Sequence, residues 1–187
     1  FSFYITHPLK ILYVWEGGLA SHGGAIGILI ALYLYSKKRP DQPFLWIADR
    51  IAVVAALSGF FIRLGNLFNS EIFGTTTSLP WGFIFVRSQE AGLDARHPTQ
   101  LYEALFYLIV FFVLYSRYNV RKEKAPHGYL LGLFLILVFS FRFLVEFLKV
   151  NQESFENTLP LNMGQLLSIP FVLTGVWLLF RSLKNQP

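Results

Sequence analysis

YLLGLFLILVFSFRFLVEFL, residues 129–148, is the stretch on which the fold turns. From Leu130 to Phe139 every residue except Gly132 is a large apolar one, so no face of a helix here is polar. At 1.5 Å per residue its twenty residues make a helix about 30 Å long, which matches the hydrocarbon core of a bilayer. Working outward, four further apolar segments occupy residues 101–115 and 164–180 and, nearer the start, 44–62 and 19–35. Together they predict an all-α, polytopic transmembrane helical bundle with five spanning helices. Segment 101–115 needs Thr99 and Gln100 to reach full length, and 44–62 carries Asp49-Arg50, read as a local pair.

Composition agrees. The chain is 54% hydrophobic and 14% charged, against about 25% charged in an ordinary soluble domain. Its net charge of +5 lies between apolar runs, with no basic stripe or binding motif, so nucleic acid is not an expected partner. The absence of cysteine excludes disulfides, thiolate metal sites and a cysteine nucleophile. No metal-ligand cluster or nucleotide loop stands in the sequence, so neither metal nor cofactor is expected. Residues 1–187 read as a single membrane domain without repeats. The chain opens at Phe1, and residues 1–18 look like an interior loop, so an N-terminal portion is expected to precede it.

Loop charges orient the segments. The first connection holds Lys37, Lys38 and Arg39, the third Arg117, Arg121, Lys122 and Lys124, and the tail Arg181 and Lys184. The long second connection holds only Arg63, Arg87 and Arg96, and the fourth holds Lys149 with Glu153 and Glu156. Basic loops stay in the cytoplasm. The C-terminus is therefore expected inside, the second and fourth connections outside, and residues 75–96 as a small outward-facing loop cap.

Ionisable residues within a membrane are costly and tend to be functional. On the fourth segment Arg142 and Glu146 lie about 20 and 26 Å along the helix, in its outer part and on one face. His22 starts the first segment on the outer side. Arg63 ends the second, with Asn66, Asn69 and Glu71 beyond it, and Arg96 and His97 precede the third. Each has a plainer reading. Arg142–Glu146 is also what a self-neutralising pair looks like, and Arg63 a snorkelling helix end. His22-Gly23-Gly24 also suits a close-packed helix start, and His97-Pro98 a loop–helix junction. Glu103 is placed to pair with an arginine. Gathered at one level, two arginines, a histidine, amides and carboxylates suit an anionic phospholipid, because guanidinium grips phosphate with two parallel hydrogen bonds.

The stretch Arg63-Leu64-Gly65-Asn66-Leu67-Phe68-Asn69-Ser70-Glu71, followed by Gly74, resembles the signature of the prolipoprotein diacylglyceryl transferase family. So do Glu16-Gly17-Gly18-Leu19-Ala20-Ser21-His22-Gly23-Gly24, Arg96-His97-Pro98-Thr99-Gln100-Leu101-Tyr102-Glu103, Arg142-Phe143-Leu144-Val145-Glu146-Phe147 and Leu161-Asn162-Met163-Gly164-Gln165. The motifs run in family order over nearly the whole chain. Leu67 stands where the family usually has an aromatic.

The resemblance implies seven spanning helices in full-length members. It also implies an activity: transfer of the diacylglyceryl group from phosphatidylglycerol to the lipobox cysteine of lipoprotein precursors, forming a thioether and releasing glycerol phosphate. The place would be the outer side of the bacterial plasma (inner) membrane. The expected catalytic residues are His22, Arg63, Arg142 and Glu146, with His22 as the base for the thiol. Arg63, Asn66, Asn69, Glu71, Gly74 and Arg142 would bind the substrate, and His97 and Glu103 are secondary candidates. An anion transporter and a non-catalytic membrane scaffold are the competing readings. Against the transporter, no internal repeat is visible and the polar residues sit toward one face.

Overall fold

Helices dominate the computed structural model, which describes residues 21–121, 126–150 and 161–184, with the backbone alone for Ser21, His22 and Ala25. In chain order they are α1 (Ser21–Lys38), α2 (Phe44–Asn69), α3 (Thr99–Arg121), α4 (Tyr129–Val145), a 3-10 turn (Glu146–Leu148) and α5 (Met163–Lys184). Among the described residues there is no strand, only isolated bridges. Four helical stretches are long and apolar enough to cross a membrane: Phe44–Asn69, Thr99–Arg121, Tyr129–Leu148 and Met163–Lys184. Large apolar side chains point outward along all four, Phe61 at 62% exposure and Phe180 at 71% among them. Water would not tolerate so much bare apolar surface, whereas lipid does.

The chain divides between Ile47 and Ala48 into two units. In the first, α1 ends at Lys37 and Lys38, whose charges complement the negative end of the helix dipole. Pro40 follows and cannot extend the helix.

In the second unit the helices outrun the apolar segments read from sequence. The second segment continues to Asn69 rather than stopping near residue 62, and the third runs to Arg121 rather than 115. Hydropathy fades at these ends, but nothing breaks the backbone ladder until Ser70, which takes a left-handed conformation at φ 57°. The start of α4 is capped from a distance. Asp49 accepts the Gly128 and Leu131 N–H groups, each at 2.7 Å, so this carboxylate does more than pair locally with Arg50.

Packing between α4 and α5 rests on a reciprocal glycine contact. A Cβ on Gly132 would sit 2.9 Å from the Gly175 carbonyl, and one on Gly175 would sit 2.8 Å from the Gly132 carbonyl. Small residues let membrane helices approach this closely. Phe139 stacks on Phe171 beside this contact, and Phe106 of α3 stacks on Phe141 of α4 with centroids 3.9 Å apart. Val53, Ala56, Tyr107, Val110, Leu114 and Leu130 form the shared interior of α2, α3 and α4.

The connection from α2 to α3 folds on itself. Thr76 and Phe83 both bridge to Arg96, whose guanidinium lies over Phe73 and donates to the Ala91 carbonyl. Phe85 and Ala91 are buried beneath. Residues 75–96 are thus an ordered piece tied to the ends of α3 and α4 by Gly74–His97 and Thr75–Leu148 backbone bonds.

Candidate active site

Arg63, Asn66 and Asn69 follow one another at every third position of α2, so they share a face of its last turns. The helix closes with Ser70 N–H donating to the Leu67 carbonyl and Glu71 N–H to the Asn66 carbonyl. That paired closure turns the chain back on itself. It carries the Glu71 carboxylate to the helix face it has just left. Asn66 Nδ2 donates to Glu71 Oε1 at 2.8 Å and Asn69 Nδ2 to the same oxygen at 3.3 Å. Arg63 Nη1 donates to Asn66 Oδ1 at 3.3 Å. Ile72 also takes a positive φ, 59°, which is strained for a β-branched residue. Two bonds hold the strain: Thr99 Oγ1 donates to the Ile72 carbonyl and Gln100 Nε2 to that of Glu71.

From Arg63 the contacts run inward. Glu103, fully buried on α3, places Oε2 3.1 Å from Arg63 Nε and 3.1 Å from Lys149 Nζ. Tyr107 donates its hydroxyl to the other oxygen at 3.4 Å. Lys149 Nζ lies 3.0 Å from Glu146 Oε1, and Arg142 Nη2 lies 3.6 Å from that oxygen. One line of charge therefore joins α2, α3 and the end of α4: Arg63, Glu103, Lys149, Glu146, Arg142. Burial distinguishes its cations. The side chain of Arg142 is 32% exposed, that of Arg63 11% and that of Lys149 4%. Leaving a buried charge with no partner at all costs about 3–5 kcal/mol, and the shared contacts along the line guard its members against that.

Beside the line opens a pocket of about 650 Å³ whose walls include Glu71, Arg87, Ser88, Arg96 and Lys149. That is within the range of small-molecule sites. Gly74 follows Ile72 and Phe73 of its wall and bridges to Lys149. A Cβ there would come within 2.6 Å of the Leu148 carbonyl and 2.7 Å of His97 Cβ. Only glycine lets the two backbones meet. His97 turns its ring to Tyr102, with Nδ1 3.3 Å from that hydroxyl, and lends its carbonyl to Gly74. His22 belongs to the first unit, in the first turn of α1, and its side chain lies outside the described residues, as do residues 16–20.

The profile of the family described as prolipoprotein diacylglyceryl transferase matches residues 1–181. The chain belongs to this family. Members similar to it include a protein of Tolumonas auensis, 47% identical over 185 residues that cover 99% of this chain and 70% of the relative. One of Porphyromonas gingivalis is 49% identical, covering 98% and 69%, and one of Chloroherpeton thalassium is 50% identical, covering 98% and 68%. All three carry the name phosphatidylglycerol–prolipoprotein diacylglyceryl transferase.

Within this diacylglyceryl transferase family chain, the structure brings together Arg63, Asn66, Asn69, Glu71, Glu103, Arg142 and Glu146. It adds Lys149, which the sequence reading counts merely as a loop charge beside Glu153 and Glu156, two residues outside the described part. Spacing was the available signal. Lys149 stands three residues after Glu146 and seven after Arg142, on the face those two share. Asn162 is a second addition: its Nδ2 lies 3.3 Å from both the Glu146 carbonyl and Oε2. Among the described residues no group of three or more metal-ligating side chains gathers.

Proposed function

We propose that this chain transfers the diacylglyceryl group of phosphatidylglycerol to the lipobox cysteine thiol of prolipoproteins. Membership in the transferase family carries the reading and favours it over a transporter or a scaffold. The buried line of cations beside a polar pocket supports it. In the reaction a cysteine thiolate attacks the glyceryl carbon that bears the phosphate ester. The S–C bond forms, the C–O bond breaks, and glycerol phosphate leaves with the bonding pair. The thiol proton passes to a base, for which His22 is our candidate.

Arg142, the most open cation of the line, meets the phosphate and stabilises the charge that grows on the leaving oxygen. Arg63 binds the same headgroup from the buried side, with guanidinium donors beyond those Glu103 and Asn66 take up. Asn66 and Asn69 donate to headgroup oxygens, while Glu71 and Glu146 orient the donors. Gly74 lets the backbone close against Leu148 and Lys149 beside the headgroup, and Glu103 sets the Arg63 plane. His97 is a secondary candidate. Between α4 and α5 a slot of about 340 Å³, walled by Phe143, Leu144, Ile169, Val172 and Leu173, gives an acyl chain an apolar bed.

The proposal includes α1 as a fifth spanning helix, seven in full-length relatives, and one membrane domain over residues 1–187. It places the pocket and the 75–96 cap on the outer side of the bacterial inner membrane, with the C-terminus in the cytoplasm. The test uses this chain and a version extended upstream, supplied with labelled phosphatidylglycerol and a peptide bearing a lipobox cysteine. Label is expected in a thioether that resists mild alkali. If neither form transfers label, while a relative does so under the same conditions, the proposal fails.

A further inference from the structure

Asn162 and Gly164 line neither the pocket nor the slot, yet both press on Glu146. The first turn of α5 closes as a reciprocal cap: Gln165 N–H donates to Asn162 Oδ1 at 2.9 Å, and Asn162 N–H donates to Gln165 Oε1 at 3.1 Å. That cap fixes the Asn162 side chain so that its remaining amide faces Glu146, 3.3 Å from Oε2 and 3.3 Å from the carbonyl. One position into the helix, a Cβ on Gly164 would fall 2.5 Å from Glu146 Cδ and 2.6 Å from Oε1, closer than side chains pack. The carboxylate therefore lies against the positive end of the α5 dipole, in space that a hydrogen atom alone leaves free. On its other side the same carboxylate meets Lys149 at 3.0 Å and Arg142 at 3.6 Å.

We propose that the turn Asn162–Gly164 is a clamp that positions Glu146, and through it Arg142 and Lys149, for the transfer reaction. The assignment rests on the transferase reading for its consequence in rate, but the clamp itself is a matter of packing. Neither residue need touch substrate. The chemistry asks for this help because a carboxylate between two cations has two partners to follow. A contact of 3.6 Å to Arg142 does not fix a plane alone. The α5 turn supplies the third point that does.

Two substitutions separate positioning from mere folding. Asn162→Asp keeps a good helix cap but removes the amide donor and sets a carboxylate against Glu146. Gly164→Ala puts a methyl where the carboxylate lies. Each is expected to lower kcat for transfer by about 100-fold, the scale of a 1 Å misplacement, with little change in KM for phosphatidylglycerol. Glu146→Asp withdraws the carboxylate by one methylene, so adding Gly164→Ala in that background is expected to cost little further.

The same cycle is read from melting temperatures in detergent. There Gly164→Ala lowers the midpoint in the parent chain and hardly at all beside Glu146→Asp. Equal effects of Gly164→Ala in both backgrounds would overturn the clamp, as would full activity in Asn162→Asp. If neither the parent chain nor its upstream-extended version transfers label while a relative does, yet the melting cycle is non-additive, the clamp stands and the transferase reading falls.

Discussion

Glu103 is the residue on which the site balances. One oxygen serves both Arg63 and Lys149, so each cation protects the carboxylate when the other is lost. Arg63→Ala and Lys149→Ala should each lower the unfolding midpoint modestly. The double variant strips Glu103 of both and should cost more than the two singles added, by about 2 kcal/mol or more. Melting in detergent checks this, and simple additivity would show that the shared oxygen carries no coupling. Arg63→Lys is a sharper probe of chemistry. An ammonium cannot hold Glu103 and Asn66 together in the guanidinium geometry, so transfer should fall by about 100-fold while the protein still inserts. Wild-type rates in Arg63→Lys would mean that a point charge suffices. At this scale Arg63, Arg142 and Glu146 were legible, because charges inside apolar runs stand out. Lys149 was not, since a lysine after the last apolar residue reads as topology. Asn162 is neutral, and its approach to Glu146 across sixteen positions of chain leaves no mark in local spacing.

At the scale of elements, the start of α4 depends on a partner in α2. Gly128 precedes the helix at φ 91° and offers no side chain to cap it. Asp49 takes the two N–H groups instead. Asp49→Ala should therefore destabilise the second unit by about 2 kcal/mol, while Asp49→Asn, which keeps one acceptor, should cost less. Unfolding in mixed detergent micelles measures both, and an unchanged midpoint in Asp49→Ala would remove the cap from the account. All five helices were visible as apolar runs. Their ends were not, because helical hydrogen bonding continues through Arg63, Asn66 and Asn69, where apolar content no longer signals it. The left-handed Ser70 that ends α2 carried no glycine to announce it. The Gly132–Gly175 contact needed the pairing of α4 with α5, which neither helix states alone.

The whole molecule is read through its orientation. In the proposed orientation, basic loops hold the first connection inside and leave the 75–96 cap outside. The chain has no cysteine, so a single introduced thiol reports its own side. A membrane-impermeant maleimide should label Gln89→Cys in intact cells and Lys38→Cys only after the membrane is opened. The reverse pattern would invert the topology and remove the pocket from the outer leaflet. The charges of the site have a further consequence for turnover. Arg63, Lys149 and Arg142 of the line are matched in formal charge by Glu71, Glu103 and Glu146, while Arg87 and Arg96 of the pocket wall, beside Glu90, leave a small positive excess. A lipid phosphodiester arrives with a single negative charge, whereas a phosphate monoester departs with about −1.5 to −2 at neutral pH. Cations already answered by carboxylates hold such a dianion less tightly than bare ones would, so the product is free to escape into water and vacate the site for the next lipid.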